Sequence, residues 1–170
     1  MAETTRVVSK IFIRGSITDV WREITKTDQL QKAFFNMRMH RNGDKPGAKV
    51  QMRTGNGKYT AVVGEVLEFD PPRRFAHTFR FTQYDDPPCK VIYDLVEVQG
   101  GVEFTLTTDE LAVGTKTAKD MTRGGDFICK TLKSIVETGR PPFGVRMLHV
   151  LFKLLAFTTP KKCRSENWSL

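Results

Sequence analysis

The chain has 170 residues, of which 39% are hydrophobic and 27% charged, a balance typical of a soluble globular protein with one domain-sized core. Its formal charge is +8, but residues 139–170 hold six Lys and Arg against one Glu, so the basic excess lies mainly in the C-terminal segment. This distribution argues against a nucleic-acid-binding face on the rest of the chain, and we predict no nucleic-acid partner.

The three cysteines are too far apart to indicate a disulfide framework or a zinc site, and we predict no metal and no cofactor. The first residues have no apolar signal region, which predicts a cytoplasmic protein. No apolar run reaches the roughly 18 residues that a membrane-spanning helix needs.

The first third of the chain predicts one strand and two short helices. Residues 7–13 have strand character and end at Gly15. Ser16 is of a type that caps a helix, which predicts a short helix through Ile24. A second short helix is predicted over residues 27–34.

Alternating apolar residues and Gly or Pro turns then predict a series of antiparallel strands. The sequence Thr54-Gly55-Asn56-Gly57 is a strong hairpin signal. The predicted strands cover residues 35–40, 48–53, 58–69, 75–81, 91–98 and 102–106.

After Gly114 the apolar spacing changes to three, four and seven, which predicts a long amphipathic helix that ends at Gly139. Gly124 and Gly125 lie within it and would allow a bend or a close approach to the sheet. We therefore predict an α+β fold in which a curved antiparallel sheet of six to seven strands wraps this helix. The predicted domain spans residues 1–140, and a basic, apolar extension spans residues 141–170.

The extension contains a further apolar helix over residues 143–157, with Arg146, His149 and Lys153 on one polar stripe. Three explanations of its apolar surface are open at this point. The helix packs on the domain, forms a homodimer interface, or lies on an anionic membrane surface.

Three segments resemble the AHSA-like family (activator of heat-shock-protein ATPase homologue-like), within the START-like or SRPBCC helix-grip superfamily. They are residues 24–30, with the sequence ITKTDQL, residues 63–74, with the sequence VGEVLEFDPPRR, and the helix around residues 124–139. The similarity covers about residues 6–139. Phe34 or Phe35, Phe79 and Phe127 stand where the family commonly has Trp.

The resemblance implies a helix-grip fold with a cavity between sheet and long helix, where superfamily members bind lipids, hormones or polyketides. Its name-giving relatives bind a heat-shock chaperone and stimulate its ATPase, and some members are cyclases or aromatases. We predict binding of a small apolar or amphipathic molecule, with a chaperone partner as the alternative and an enzyme as the weaker one.

The predicted pocket consists of apolar and aromatic residues on the strands and the long helix. His77 and Tyr93 are the only acid or base candidates in it, and no catalytic residue is assigned. The candidate residues are Phe35, Met37, Phe75, His77, Phe79, Phe81, Tyr93, Phe104, Met121, Phe127, Ile128 and Leu132.

Overall fold

The computed structural model describes residues 3–170 and confirms the α+β helix-grip architecture. One antiparallel sheet contains seven strands in the order β1-β7-β6-β5-β4-β3-β2. The strands are β1 (Thr4–Ile13), β2 (Arg38–Arg41), β3 (Lys49–Arg53), β4 (Thr60–Asp70), β5 (Arg74–Phe81), β6 (Cys89–Val98) and β7 (Gly101–Ala112). The helices are α1 (Ile17–Thr25), α2 (Lys116–Thr138) and α3 (Phe143–Leu154).

The sheet has one apolar face because alternate strand residues point to opposite sides. In β6, Val91, Tyr93 and Leu95 are buried, whereas the residues between them are partly exposed. The pairing shifts register in β4 between Val66 and Glu68, and such bulges increase the twist and bend of a strand. The concave, apolar face is the one that α2 covers.

Helix α2 has 23 residues, and it packs mainly on β1 and β7. Thr115 caps its first turn by accepting a hydrogen bond from the Ala118 amide, and Gly139 ends it in the left-handed conformation at φ 79°. A Cβ atom on Gly125 would lie 2.6 Å from the Ser9 Oγ atom, so this glycine allows helix and strand to approach closely.

The prediction of a second short helix over residues 27–34 is wrong. This segment is a turn closed by an antiparallel bridge between Gln31 and Met37, and Phe35 and Asn36 have positive φ angles of 56° and 58°. The reversal places Phe34 in the core. Burial of the Phe34 ring stabilises the turn, and this gain outweighs the local propensity of the segment to form a helix.

The C-terminal extension has two parts with different surroundings. Helix α3 has only Val145 fully buried, and none of the helices within residues 3–170 is long and apolar enough to cross a membrane. The following residues, 156–170, form three short 3-10 turns, and residues 167–169 lie on the outer face of the sheet. There, Gln51 donates a hydrogen bond to the Ser169 carbonyl at 2.8 Å, and the Lys58 carbonyl accepts one from the Ser165 amide at 2.9 Å.

Candidate functional site

The space between the sheet and α2 is filled by aromatic rings. Phe75 and Phe104 are fully buried, and Phe75 stacks on Tyr93 with ring centroids 5.7 Å apart. Phe34 meets the edge of Tyr93 at 5.9 Å. Leu132 of α2, also fully buried, packs in the same cluster. These side chains occupy the interior where the sequence predicted a ligand pocket.

The polar centre of this interior is the pair His77 and Tyr93. The His77 Nδ1 atom lies 2.7 Å from the Thr78 carbonyl, so this nitrogen carries the proton and donates. The Nε2 atom is then the acceptor that faces the Tyr93 hydroxyl at 3.5 Å. Burial lowers the pKa of His77 to about 4 and raises the pKa of Tyr93, so both side chains are neutral at pH 7.

The neutral pair can orient a polar group of a bound molecule by hydrogen bonds. It is poorly suited to acid–base catalysis near neutral pH, because a general base works best when its pKa lies near the operating pH. His77 is 2% exposed, which also keeps water from its ring.

Arg41 places a cation at the far end of the aromatic cluster, and no sequence pattern predicts it there. The Arg41 guanidinium lies 4.8 Å from the ring centroid of Phe69 and 5.7 Å from that of Phe75. It also donates to the Thr25 carbonyl at 3.2 Å. These cation–π contacts stabilise the packing of Phe69 and Phe75. The positive charge of Arg41 also lowers the pKa of His77 further.

A rim of partly exposed apolar side chains surrounds the filled interior. On β5, Phe79 and Phe81 meet edge to face at 4.8 Å. The loop after β5 contacts α2 through a hydrogen bond that the Tyr84 hydroxyl donates to the Asp120 carboxylate at 2.8 Å. Met121 of α2 packs against the Phe79 side of the core. Strand β5 and helix α2 therefore face each other across side chains that retain contact with solvent.

A second group of rim residues lies beneath α3. Phe35 of the turn stacks on Phe127 of α2 at 5.4 Å, with an angle of 11° between the rings. Phe152 of α3 approaches Phe35 at 6.2 Å. The turn, the long helix and the C-terminal helix meet through these three rings.

The structure thus divides the predicted residues into two groups. Fully buried are Phe75, His77, Tyr93, Phe104 and Leu132; partly exposed are Phe35, Met37, Phe79, Phe81, Met121, Phe127 and Ile128. Phe34, Phe69 and Arg41 also belong to the cluster and were missed. The aromatic alternation of a neighbouring strand could have indicated Phe69, but nothing in the sequence pairs Arg41 with these rings.

Two surface grooves lie away from these residues. One, of about 400 Å³, is lined by Ile17, Pro72 and Leu95 near the start of α1. The other, of about 390 Å³, lies between the C-terminal tail and the outer face of the sheet, with Gly64, Arg80 and Trp168 in its walls.

The curved sheet, the long helix and the aromatic interior between them define a helix-grip protein. The sequence profile of the family described as "Activator of Hsp90 ATPase homolog 1-like protein" matches residues 14–137. The match covers well over half of the chain, so the protein belongs to this family. A comparison with curated proteins gives no significant match.

Solved structures with the same fold share little sequence with this chain. The Aha1 dimer from Colwellia psychrerythraea is 16% identical, with a TM-score of 0.62, over 79% of this chain and 98% of that one. Protein MLL2253 from Mesorhizobium loti is 16% identical, with a TM-score of 0.64, over 78% and 97%. CalU16 from Micromonospora echinospora is 14% identical, with a TM-score of 0.61, over 93% and 91%.

Proposed function

We propose that this protein binds a small apolar or amphipathic molecule between strand β5 and helix α2. The observation that carries the proposal is a row of rings leading inward from the rim. Its centroid distances are 4.8 Å from Phe81 to Phe79, 6.4 Å from Phe79 to His77 and 5.8 Å from His77 to Tyr93. The row begins at partly exposed apolar rings and ends at a buried polar pair, which matches a ligand with an apolar body and one polar end.

The ligand would enter by displacing side chains, because the interior is filled. Phe79 and Phe81 are partly exposed in the C-terminal half of β5, and Met37 and Met121 are flexible thioether side chains that adapt to different shapes. Rotation of the two phenylalanines toward solvent would open the path to His77 without moving the sheet. The helix-grip fold of the family supports binding in this region.

Native mass spectrometry of the freshly purified protein tests the proposal first. We expect a co-purifying small molecule that is released by organic solvent. Purified protein is then titrated with long-chain fatty acids, alcohols and polycyclic aromatic compounds. If nothing co-purifies and no compound in the panel binds, the proposal is wrong.

Substitutions locate the ligand. Met121→Trp fills the rim and should weaken binding at least tenfold, whereas Phe12→Ala, on an exposed strand position away from the rim, should leave it unchanged. His77→Phe should weaken binding of compounds with a polar end more than binding of purely apolar ones. Equal effects of Met121→Trp and Phe12→Ala would contradict this location.

A chaperone partner is the second candidate, and it rests on the description of the family. Addition of the purified protein to a heat-shock-protein-ninety ATPase should then raise the rate of ATP hydrolysis. The variant Met121→Trp separates the two candidates, because it should weaken ligand binding and leave the stimulation of ATP hydrolysis unchanged. A cyclase or aromatase activity is the weakest candidate, since His77 and Tyr93 are neutral and buried.

The association state of the protein is a separate question. The solved Colwellia structure is described as a dimer, and a homodimer is therefore tested as well. Sedimentation velocity at several protein concentrations measures the association state directly. A single monomeric species at every concentration would rule out a stable dimer.

A further inference from the structure

Helix α3 presents an unpartnered apolar face. Phe143, Met147, Val150 and Leu154 recur at spacings of four, three and four, which places them on one side of the helix. They are 70%, 58%, 59% and 67% exposed. The opposite side carries the buried Val145 and the contacts with the domain. The helix is therefore apolar on two sides: on the inner side Val145 is buried and Phe152 is 45% exposed, whereas the outer side has no partner within the described residues.

Two of the three polar residues of α3 are cations on the flank between these two sides, and the third is the partly buried His149. Arg146 and Lys153, seven residues apart, are both exposed. The sequence has no Asp or Glu between Glu137 and Glu166, whereas residues 139–170 contain six Lys and Arg. The exposed apolar face is thus bordered by cations on one flank, and by the apolar Leu151 and Leu155 on the other.

Charge complementarity decides between the occupants of this face. A second copy of the chain would offer no carboxylate in α3 to pair with Arg146 and Lys153. Like charges that face each other across an interface weaken it. A surface rich in anionic lipids offers hydrocarbon to the apolar face and negative charge to its flank.

The geometry of α3 suits a helix that lies in the plane of a membrane. Its 12 residues span about 18 Å at 1.5 Å per residue, too short to cross the roughly 30 Å hydrocarbon core. Both ends are attached to the domain. Pro141 is buried before the helix, and after it Cys163 is buried while Lys162 pairs with Asp85 at 3.3 Å. The packing of the chain on both sides of α3 therefore holds the exposed apolar face outward in the free protein.

We propose that the outward face of α3 docks on an anionic membrane surface, with Arg146 and Lys153 at the level of the lipid headgroups. Phe143, Met147, Val150 and Leu154 enter the boundary between headgroups and acyl chains. This docking does not require a ligand in the interior of the domain, so it stands or falls separately from the proposed binding function.

Flotation of the full chain with lipid vesicles tests the docking. We expect the protein to float with phosphatidylcholine vesicles that contain phosphatidylserine and to float much less with pure phosphatidylcholine. Binding should also decrease as salt is raised well above 0.1 M, where the Debye length is about 10 Å. Equal flotation with both vesicle types, or none with either, would overturn the proposal.

Two variants and one matched control identify the surface. Met147→Ser/Val150→Ser/Leu154→Ser should lower the partition coefficient roughly tenfold or more, because apolar area no longer enters the lipid. Arg146→Gln/Lys153→Gln should lower it about 25-fold, at about fivefold for each cation. The control Val8→Ser/Val96→Ser alters strand residues that are each 55% exposed and should leave binding unchanged.

The same variants show whether a second copy covers the face instead. All substituted positions are exposed, and circular dichroism confirms that each variant is folded. If the triple serine variant floats like the wild type, the proposal is wrong. It is equally wrong if wild-type protein is a dimer that does not float and the triple variant is a monomer.

Discussion

The body of the domain and its C-terminal extension are both rich in apolar residues, yet they use them in opposite ways. In the body, β-strands and α2 enclose Phe75, Phe104 and Leu132 so completely that each is fully buried. In the extension, α3 leaves Phe143 70% exposed. Hydrophobic content alone therefore does not tell which region contributes to stability, and the two regions should respond very differently to the same substitution.

The largest difference is expected between two phenylalanine truncations. Phe75→Ala removes a fully buried ring and should lower the free energy of unfolding by about 3–5 kcal/mol. Phe143→Ala removes an exposed ring and should change it by no more than about 0.5 kcal/mol. Urea denaturation followed by circular dichroism measures both. A loss of more than about 2 kcal/mol for Phe143→Ala would mean that α3 is part of the core.

The next largest effect is a loss of stability at acid pH that originates in the body. His77 has a folded-state pKa of about 4, below its ordinary value of 6.5, so the unfolded chain binds the extra proton first. Stability should be constant above about pH 7 and fall as the pH decreases from 6.5 to 4, by about 3 kcal/mol in total. Unfolding experiments at pH 7.5 and 5 should show about 2 kcal/mol of this loss, because the remainder develops below pH 5.

The variant His77→Phe serves as its control. It should abolish most of the difference between the two pH values, whatever its own effect on stability at pH 7.5. Burial also lowers the pKa of His40 and His149, but both are partly exposed, so a smaller loss should remain. An unchanged pH dependence in His77→Phe would show that another group is responsible.

The adjacent residues Gly124 and Gly125 of α2 differ in their surroundings, and alanine substitutions should therefore change stability in opposite directions. Gly125→Ala places a Cβ atom 2.6 Å from the Ser9 Oγ atom and should cost about 1–2 kcal/mol. Gly124→Ala meets no atom within 4 Å and should stabilise α2 by up to about 1 kcal/mol. In the Ser9→Ala background the Gly125→Ala penalty should largely disappear. A penalty that persists there would place the strain elsewhere.

The smallest effect is expected in the tail. The Trp168 ring lies 5.3 Å from the Arg80 guanidinium, and its indole N–H donates to the Lys162 carbonyl at 2.9 Å. Trp168→Ala should lower the free energy of unfolding by about 1 kcal/mol, and Trp168→Phe by less, because a ring remains over Arg80. No loss at all would show that the tail unfolds separately from the body.

Much of the body could be predicted from the sequence, and so could the helix that begins at Phe143. Alternation in residues 75–81 and 91–95 identified strands whose inward side chains are those observed, because the pleat of a sheet repeats every two residues. The break at Gly139 marked the end of α2, since its φ of 79° favours glycine. Local periodicity and turn chemistry were sufficient in these cases.

Features that depend on distant contacts could not be predicted. The turn at Phe35 and Asn36 replaces a helix because it buries Phe34 against Tyr93, far away in the sequence. Residues 158–170 have no periodicity, and hydrogen bonds to strands β3 and β4 hold them in place. The filling of the interior also depends on how individual rings pack, which no spacing rule describes.

Cys163 lies within the C-terminal tail and is buried, which makes its thiol a reporter of local opening. All three cysteines are buried, and burial raises the pKa of Cys89 to about 11 and that of Cys129 to about 12. Cys89 and Cys129 should react with a thiol reagent only when the body unfolds. Cys163 should react whenever the tail detaches, so its labelling rate gives the frequency of that motion while the rest of the molecule stays native.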